Sequence, residues 1–326
     1  MKSFSSGMRA GTFCAIVLVL GLLVFALPTR DRVTAVTKMA TTTAPVVLLG
    51  PSTIDFVSKC DSDKRTVAEM LGAVRGGPVL DASYGGQALS DGLNLGAFGS
   101  RARHVTDVVL PIAHPYSDDW TVPSFSATAF YTAVTGGRIL AGADTVEDAW
   151  GGLIARSHRP EMPYRFEGKD YPDYRILSAT EFGTEKKLET CPGVLSHDPA
   201  FTRSYYWWTH VATRYHESLP TLLIRLNGFL AASGKRLHVV ILPTNQQLLG
   251  TYSPDWPRLV LARQRRLADD LRRHQVAVID LADQFPNDEF AVQWCACIHL
   301  NEKGRLHLAE AIATGLQGPA PARSGS

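Results

Sequence analysis

The chain has no basic block, few cysteines and no second cluster of metal-spaced ligands. Its 33 Lys and Arg are nearly balanced by 31 Asp and Glu, for a formal net charge of +2. The densest basic run, Arg263, Arg265, Arg266, Arg272 and Arg273, reads as the solvated face of a helix. No basic patch is interleaved with aromatics, which argues against nucleic acid as a partner. Of the five cysteines, Cys14 lies in an apolar N-terminal run, and Cys60, Cys191, Cys295 and Cys297 lie beyond it. Those four allow three complete pairings; Cys295 and Cys297 are too close to pair comfortably, so each can reach to Cys60 or to Cys191. The Cys295-x-Cys297 pair near His299 has no partner cluster at zinc spacing, so neither a metal nor another cofactor is expected.

Charge is also missing from Thr12 to Leu27, an apolar run preceded by Lys2 and Arg9. It falls slightly short of the roughly 20 residues of a full membrane span. No small-x-small cleavage site follows at once, because Pro28, Thr29 and Arg30 come next. An uncleaved signal anchor over residues 1–32 is therefore favoured over a cleaved signal peptide. Either exports everything after Arg30, to the periplasm in a Gram-negative cell, with the inner membrane as a partner. Residues 33–44, Thr- and Ala-rich and without core periodicity, read as a linker, and residues 318–326 as a frayed tail.

What is present between them is ample apolar material, 45% of the chain, enough for one large domain with an insertion. Val46 to Leu49 is a buried-strand run ended by Gly50-Pro51, with Ser52 just past it. Lys64 to Val74 has helical spacing, and Pro78 to Ser83 reads as a second strand running into Tyr84-Gly85-Gly86-Gln87. Val105 to Leu110 is a third apolar run. Residues 116–200 lose the regular pattern and read as an insertion with local structure of its own, including short helices at Ser124–Val134 and Thr145–Ile154. Tyr205, Tyr206, Trp207, Trp208 and Tyr215 either pack a small core there or offer flat apolar faces to sugar rings. Helix (Thr221–Ala232), strand (His238–Leu242), helix (Leu259–Arg273), strand (Val276–Leu281) and helix (Arg305–Leu316) then follow. This alternation implies an α/β fold with a doubly wound, mostly parallel sheet, spanning residues 45–317.

Ser52, Gly86, Asn245 and His299 fall in that order at the ends of strands or at the start of the last helix. In this order they resemble the SGNH, or GDSL-like, hydrolase superfamily, and His299-Leu300-Asn301-Glu302-Lys303-Gly304 is the most specific phrase. The resemblance covers Val46 to Leu316 without the insertion, and implies a flavodoxin-like three-layer fold. Together with the export signal, it resembles members that add or remove acyl groups on bacterial envelope polysaccharides. Pro51 stands where the family usually has an acidic residue.

The chemistry suits the residue types. Ser52 would be the nucleophile and His299 the base that takes its proton and returns it to the leaving alcohol. The Ser52 and Gly86 N–H groups and the Asn245 amide would hold the oxyanion. Each also has a plain structural reading: Ser52 a helix cap, Gly86 a turn glycine, Asn245 a turn residue, His299 a helix-start or core histidine. The family's usual acid, three residues before the histidine, is Ala296 here. Either Asp283, Asp288 or Glu289 substitutes for it, or a backbone carbonyl holds the imidazole in a Ser-His dyad, or the protein binds glycan without turning it over.

The expectation is an exported O-acyl esterase or O-acyltransferase. Its substrate would be an acylated exopolysaccharide, such as cellulose or an alginate-like polymer, or an acyl donor. A polysaccharide synthase or a membrane O-acyltransferase would be its partner. A glycan-binding accessory is the alternative.

Overall fold

The computed structural model describes residues 30–58, 60–85, 87–113, 218–291 and 298–317, together with an antiparallel pair of short strands at 165–166 and 169–170. Seven strands are numbered in chain order. Five make one sheet: β1 (Val46–Leu48), β2 (Val79–Asp81), β3 (Asp107–Ile112), β6 (Arg236–Ile241) and β7 (Ala277–Asp280); β4 (Arg165–Phe166) and β5 (Lys169–Asp170) make the short pair. The sheet order is β2-β1-β3-β6-β7 and every neighbour is parallel. The order reverses between β1 and β3, the place where open α/β sheets keep a ligand crevice beyond the carboxyl ends of their strands. Ser52 follows β1 at that point.

Alternation along the strands builds two cores, because successive side chains of a strand point to opposite faces. Val47, Leu49, Val108, Leu110, Leu237, Val239 and Ile241 face one core. It is closed by a helix at 30–41 (α1), by α4 (Leu89–Gly99), by α5 (Leu219–Ala231) and by α7 (Asp255–Arg273). Val46, Leu48, Val109 and Val240 face the other, covered by α3 (Val67–Arg75) and α8 (Glu302–Leu316). The result is an α/β fold of three layers with an open parallel sheet.

Two stretches differ from the sequence expectation. Residues 30–41, read as part anchor and part linker, are helical. Ala35 and Met39, four residues apart, enter the core, and the Thr34 and Thr41 hydroxyls donate back to carbonyls one turn earlier. The α4 helix had no periodic signal, because Gly92, Gly96 and Gly99 interrupt it. Those glycines let its backbone lie close: a Cβ at Gly92 would come 2.9 Å from Leu110, one at Gly96 3.0 Å from Leu226, and one at Gly99 3.0 Å from Val108.

The 116–200 insertion and its aromatic flank fall, apart from the short strand pair, outside the described residues. So do the Thr12–Leu27 run, the 318–326 tail, and Cys14, Cys191, Cys295 and Cys297. No described helix is long and apolar enough to cross a membrane. Cys60 is disulfide-bonded.

Candidate active site

Ser52 opens a one-turn helix, α2 (Ser52–Asp55), directly after β1. The turn that delivers it requires glycine: Gly50 has φ +145, and a Cβ there would sit 2.6 Å from Ile54 Cγ1. Among the described residues the Ser52 N–H has no acceptor, as expected of the first N–H groups of a helix. It therefore remains available to an incoming oxyanion.

His299 approaches from the opposite end of the chain. Its Nε2 lies 3.4 Å from Ser52 Oγ, somewhat beyond the roughly 2.6–3.2 Å of a tight nucleophile–base pair, as is common without substrate. The imidazole is buried, and Phe56 stacks on it, with centroids 4.4 Å apart and planes 12° from parallel.

The phrase that follows His299 is a joint that fixes it. The His299 carbonyl accepts from the Ala291 N–H at 2.8 Å, and the Asn301 N–H donates to the Glu289 carbonyl at 3.0 Å. Asn301 caps α8 by accepting from the Lys303 and Gly304 N–H groups, while its amide donates to the Asp288 carbonyl at 2.7 Å. Glu302 accepts from the Ser62 and Asp63 N–H groups, both at 2.7 Å, and from the Ser62 hydroxyl at 2.6 Å. A side chain at Gly304 would collide with the Glu289 carbonyl. Arg305 is fully buried; it pairs with Asp61 and donates to the carbonyls of Asp63 at 2.6 Å and Arg65 at 3.1 Å. The loop after Ser52 and the helix after His299 are thus one hydrogen-bonded unit.

Asn245 is buried at the end of β6. Its side chain caps α6 (Gln246–Tyr252) by accepting from the Leu248 N–H at 2.9 Å, and its amide donates to Asn287 Oδ1 at 2.8 Å. Both bonds are structural: they cap α6 and tie the end of β6 to the 287–289 turn. Gly86 falls outside the described residues.

The carboxylates considered as partners for His299 have other company. Asp283 pairs with Arg265 at 2.5 Å, Asp288 with Lys303 at 3.4 Å, and Glu289 with His307 Nδ1 at 2.8 Å. The first two are solvent-facing pairs. Ala296 is outside the described residues, and among those described no group of three His, Cys, Asp or Glu could hold a metal.

Besides Phe56, two residues at the site were not singled out from the sequence. Gln87 is buried between the loops after β1 and β2; its Oε1 accepts from the Gly50 N–H at 2.6 Å, and its Nε2 donates to the Ala82 carbonyl at 3.1 Å. Desolvation first, and the charge of Asp81 second, push the Asp55 carboxyl above the ordinary value against the opposing effect of the Gly85 backbone N–H. Their only sequence signal was position, Gln87 beside Gly86 and Asp55 one turn after Ser52.

No family model and no curated protein matches the chain.

Proposed function

We propose that the protein is an exported serine O-acyl esterase or O-acyltransferase of the SGNH type. The reading assigns it an acylated exopolysaccharide, of the cellulose or alginate-like kind, at the periplasmic face of the inner membrane. It would work beside a polysaccharide synthase or a membrane O-acyltransferase. The observation that carries the reading is the approach of His299 Nε2 to Ser52 Oγ, 3.4 Å, beyond the carboxyl end of β1. In this reading His299 takes the Ser52 proton as Oγ attacks the acyl carbonyl. The Ser52 N–H, with the Gly86 N–H and the Asn245 amide, meets the oxyanion. The carbonyl re-forms, the donor alcohol leaves with the proton from His299, and water or a sugar hydroxyl then releases the acyl group from Ser52.

A second reading, a glycan-binding accessory, is favoured by Ala296 and by the engagement of Asn245 with Asn287. One experiment separates them: p-nitrophenyl acetate hydrolysis and fluorophosphonate labelling by the full chain in detergent, beside Ser52→Ala and His299→Ala. Turnover and labelling lost in both variants support the esterase. A wild type that neither turns over nor labels favours the accessory. The full chain keeps Arg32, which pairs with buried Asp91 at 2.7 Å.

A further inference from the structure

Helix α1 joins the apolar N-terminal run to the domain, and its direction has a consequence for the site. Near its start, Arg32 pairs with buried Asp91 in the first turn of α4, Nε to Oδ1 at 2.7 Å and Nη2 to Oδ2 at 3.2 Å. Near its end, Met39 Cε would lie 3.5 Å from a Cβ at Gly99, the last residue of α4. The two helices therefore run side by side in the same direction. The first turn of α4 follows Gln87, which binds the Gly50 N–H two residues before Ser52. The far end of α1 leads to Pro45, whose carbonyl accepts from the Thr106 and Asp107 N–H groups where β3 begins. The start of α1 is thus at the crevice end of the sheet.

Only five peptide units separate Leu27, the end of the apolar run, from Arg32. They reach at most about 18 Å. Among the described residues Val33, next to Arg32, is one of the few large apolar side chains left exposed, at 47%.

We infer that the domain is held with its Ser52–His299 end facing the bilayer, so that whatever reaches Ser52 passes between the domain and the lipid headgroups. This rests on the reading of residues 1–32 as an anchor. A helix pinned to the domain on so short a tether restricts the orientation, whereas a linker over 33–44 would leave it free.

The test uses the full chain in nanodiscs of phosphatidylethanolamine and phosphatidylglycerol carrying a nitroxide on a fraction of the headgroups. Azidophenylalanine replaces either exposed Gln247, on the second residue of α6 at the crevice end, or exposed Ser233, before β6 at the opposite end, and is clicked to a fluorophore. Strand β6 alone separates these ends by about 17 Å. The expected result is several-fold stronger quenching at 247 than at 233. Equal quenching, or stronger quenching at 233, overturns the orientation. A chain that the nanodiscs do not retain overturns it by removing the anchor. Neither result bears on the esterase assay, so a failed orientation, a failed anchor and a failed catalytic reading remain separate outcomes.

Discussion

Phe56 lies flat on the imidazole of His299, with centroids 4.4 Å apart and planes 12° from parallel. One turn of helix carries Phe56 from Ser52, so the same short segment presents the nucleophile and a wall for the base. With its edge aimed at Ser52 Oγ and its face against the ring, the imidazole has little freedom to rotate.

Phe56→Ala should therefore cost rate. Misplacing a catalytic group by about 1 Å can cost up to about 100-fold. We expect fluorophosphonate labelling of Ser52 to slow by about 10- to 100-fold in Phe56→Ala on that basis, with Phe56→Tyr close to wild type. Unchanged labelling in Phe56→Ala would show that the stacking does not hold the base.

Gln87 ties the two loops that flank the crevice. Gln87→Ala leaves the Gly50 N–H and the Ala82 carbonyl without their partner, which should lower unfolding free energy by about 2–4 kcal/mol in a urea titration. Ester turnover should fall through kcat more than KM, because the Gly50 turn aims Ser52 and its N–H. A loss of stability with kcat intact would make Gln87 a core residue only.

Arg305 and Asp61 are a buried pair, at 1% and 6% side-chain exposure. Removing one partner leaves a charge without compensation, so Asp61→Ala should destabilise by about 3–5 kcal/mol. Arg305→Met should do the same. Joining Asp61→Leu to Arg305→Met should recover part of the loss, and the difference in urea midpoints measures the coupling.

At the other end of the sheet, Asp107 contributes to acid stability. Burial pushes its carboxyl up, but hydrogen bonds from His238, Arg236 and Thr106 outweigh it and hold the carboxyl at about 2. The folded value lies below the ordinary 3.8, so this contribution is complete above pH 4 and lost as pH falls from about 4 through about 2. It amounts to about 2 kcal/mol. Asp107→Asn should be less stable at neutral pH, and its urea midpoint should fall less than the wild type's between those pH values. Parallel profiles would rule Asp107 out as the source.

The strands were readable because their interiors are continuous apolar runs, and Val46–Leu48, Asp107–Ile112 and Arg236–Ile241 fall within a few residues of the expected positions. The approach of His299 to Ser52 was expected from the resemblance that the order of Ser52, Gly86, Asn245 and His299 carries. Helices were harder where their stability comes from neighbours. In the 30–41 helix two buried residues and one ion pair suffice, and in α6 the cap Asn245 matters more than any repeat. Gln87 and Phe56 gave no pattern at all, since each acts through one contact across the chain. Asp283 and Asp288, named for their proximity to His299 in sequence, pair with Arg265 and Lys303.

The glycines of α4 make the crevice depend on tertiary packing. Gly92 and Gly96, inside the helix, each cost about 1 kcal/mol of helix propensity relative to alanine. The helix is weak by itself and is held by β3 and α5, which its glycines let it approach. Packing lost there loosens Gln87, at the head of α4, and with it the Gly50 turn that aims Ser52.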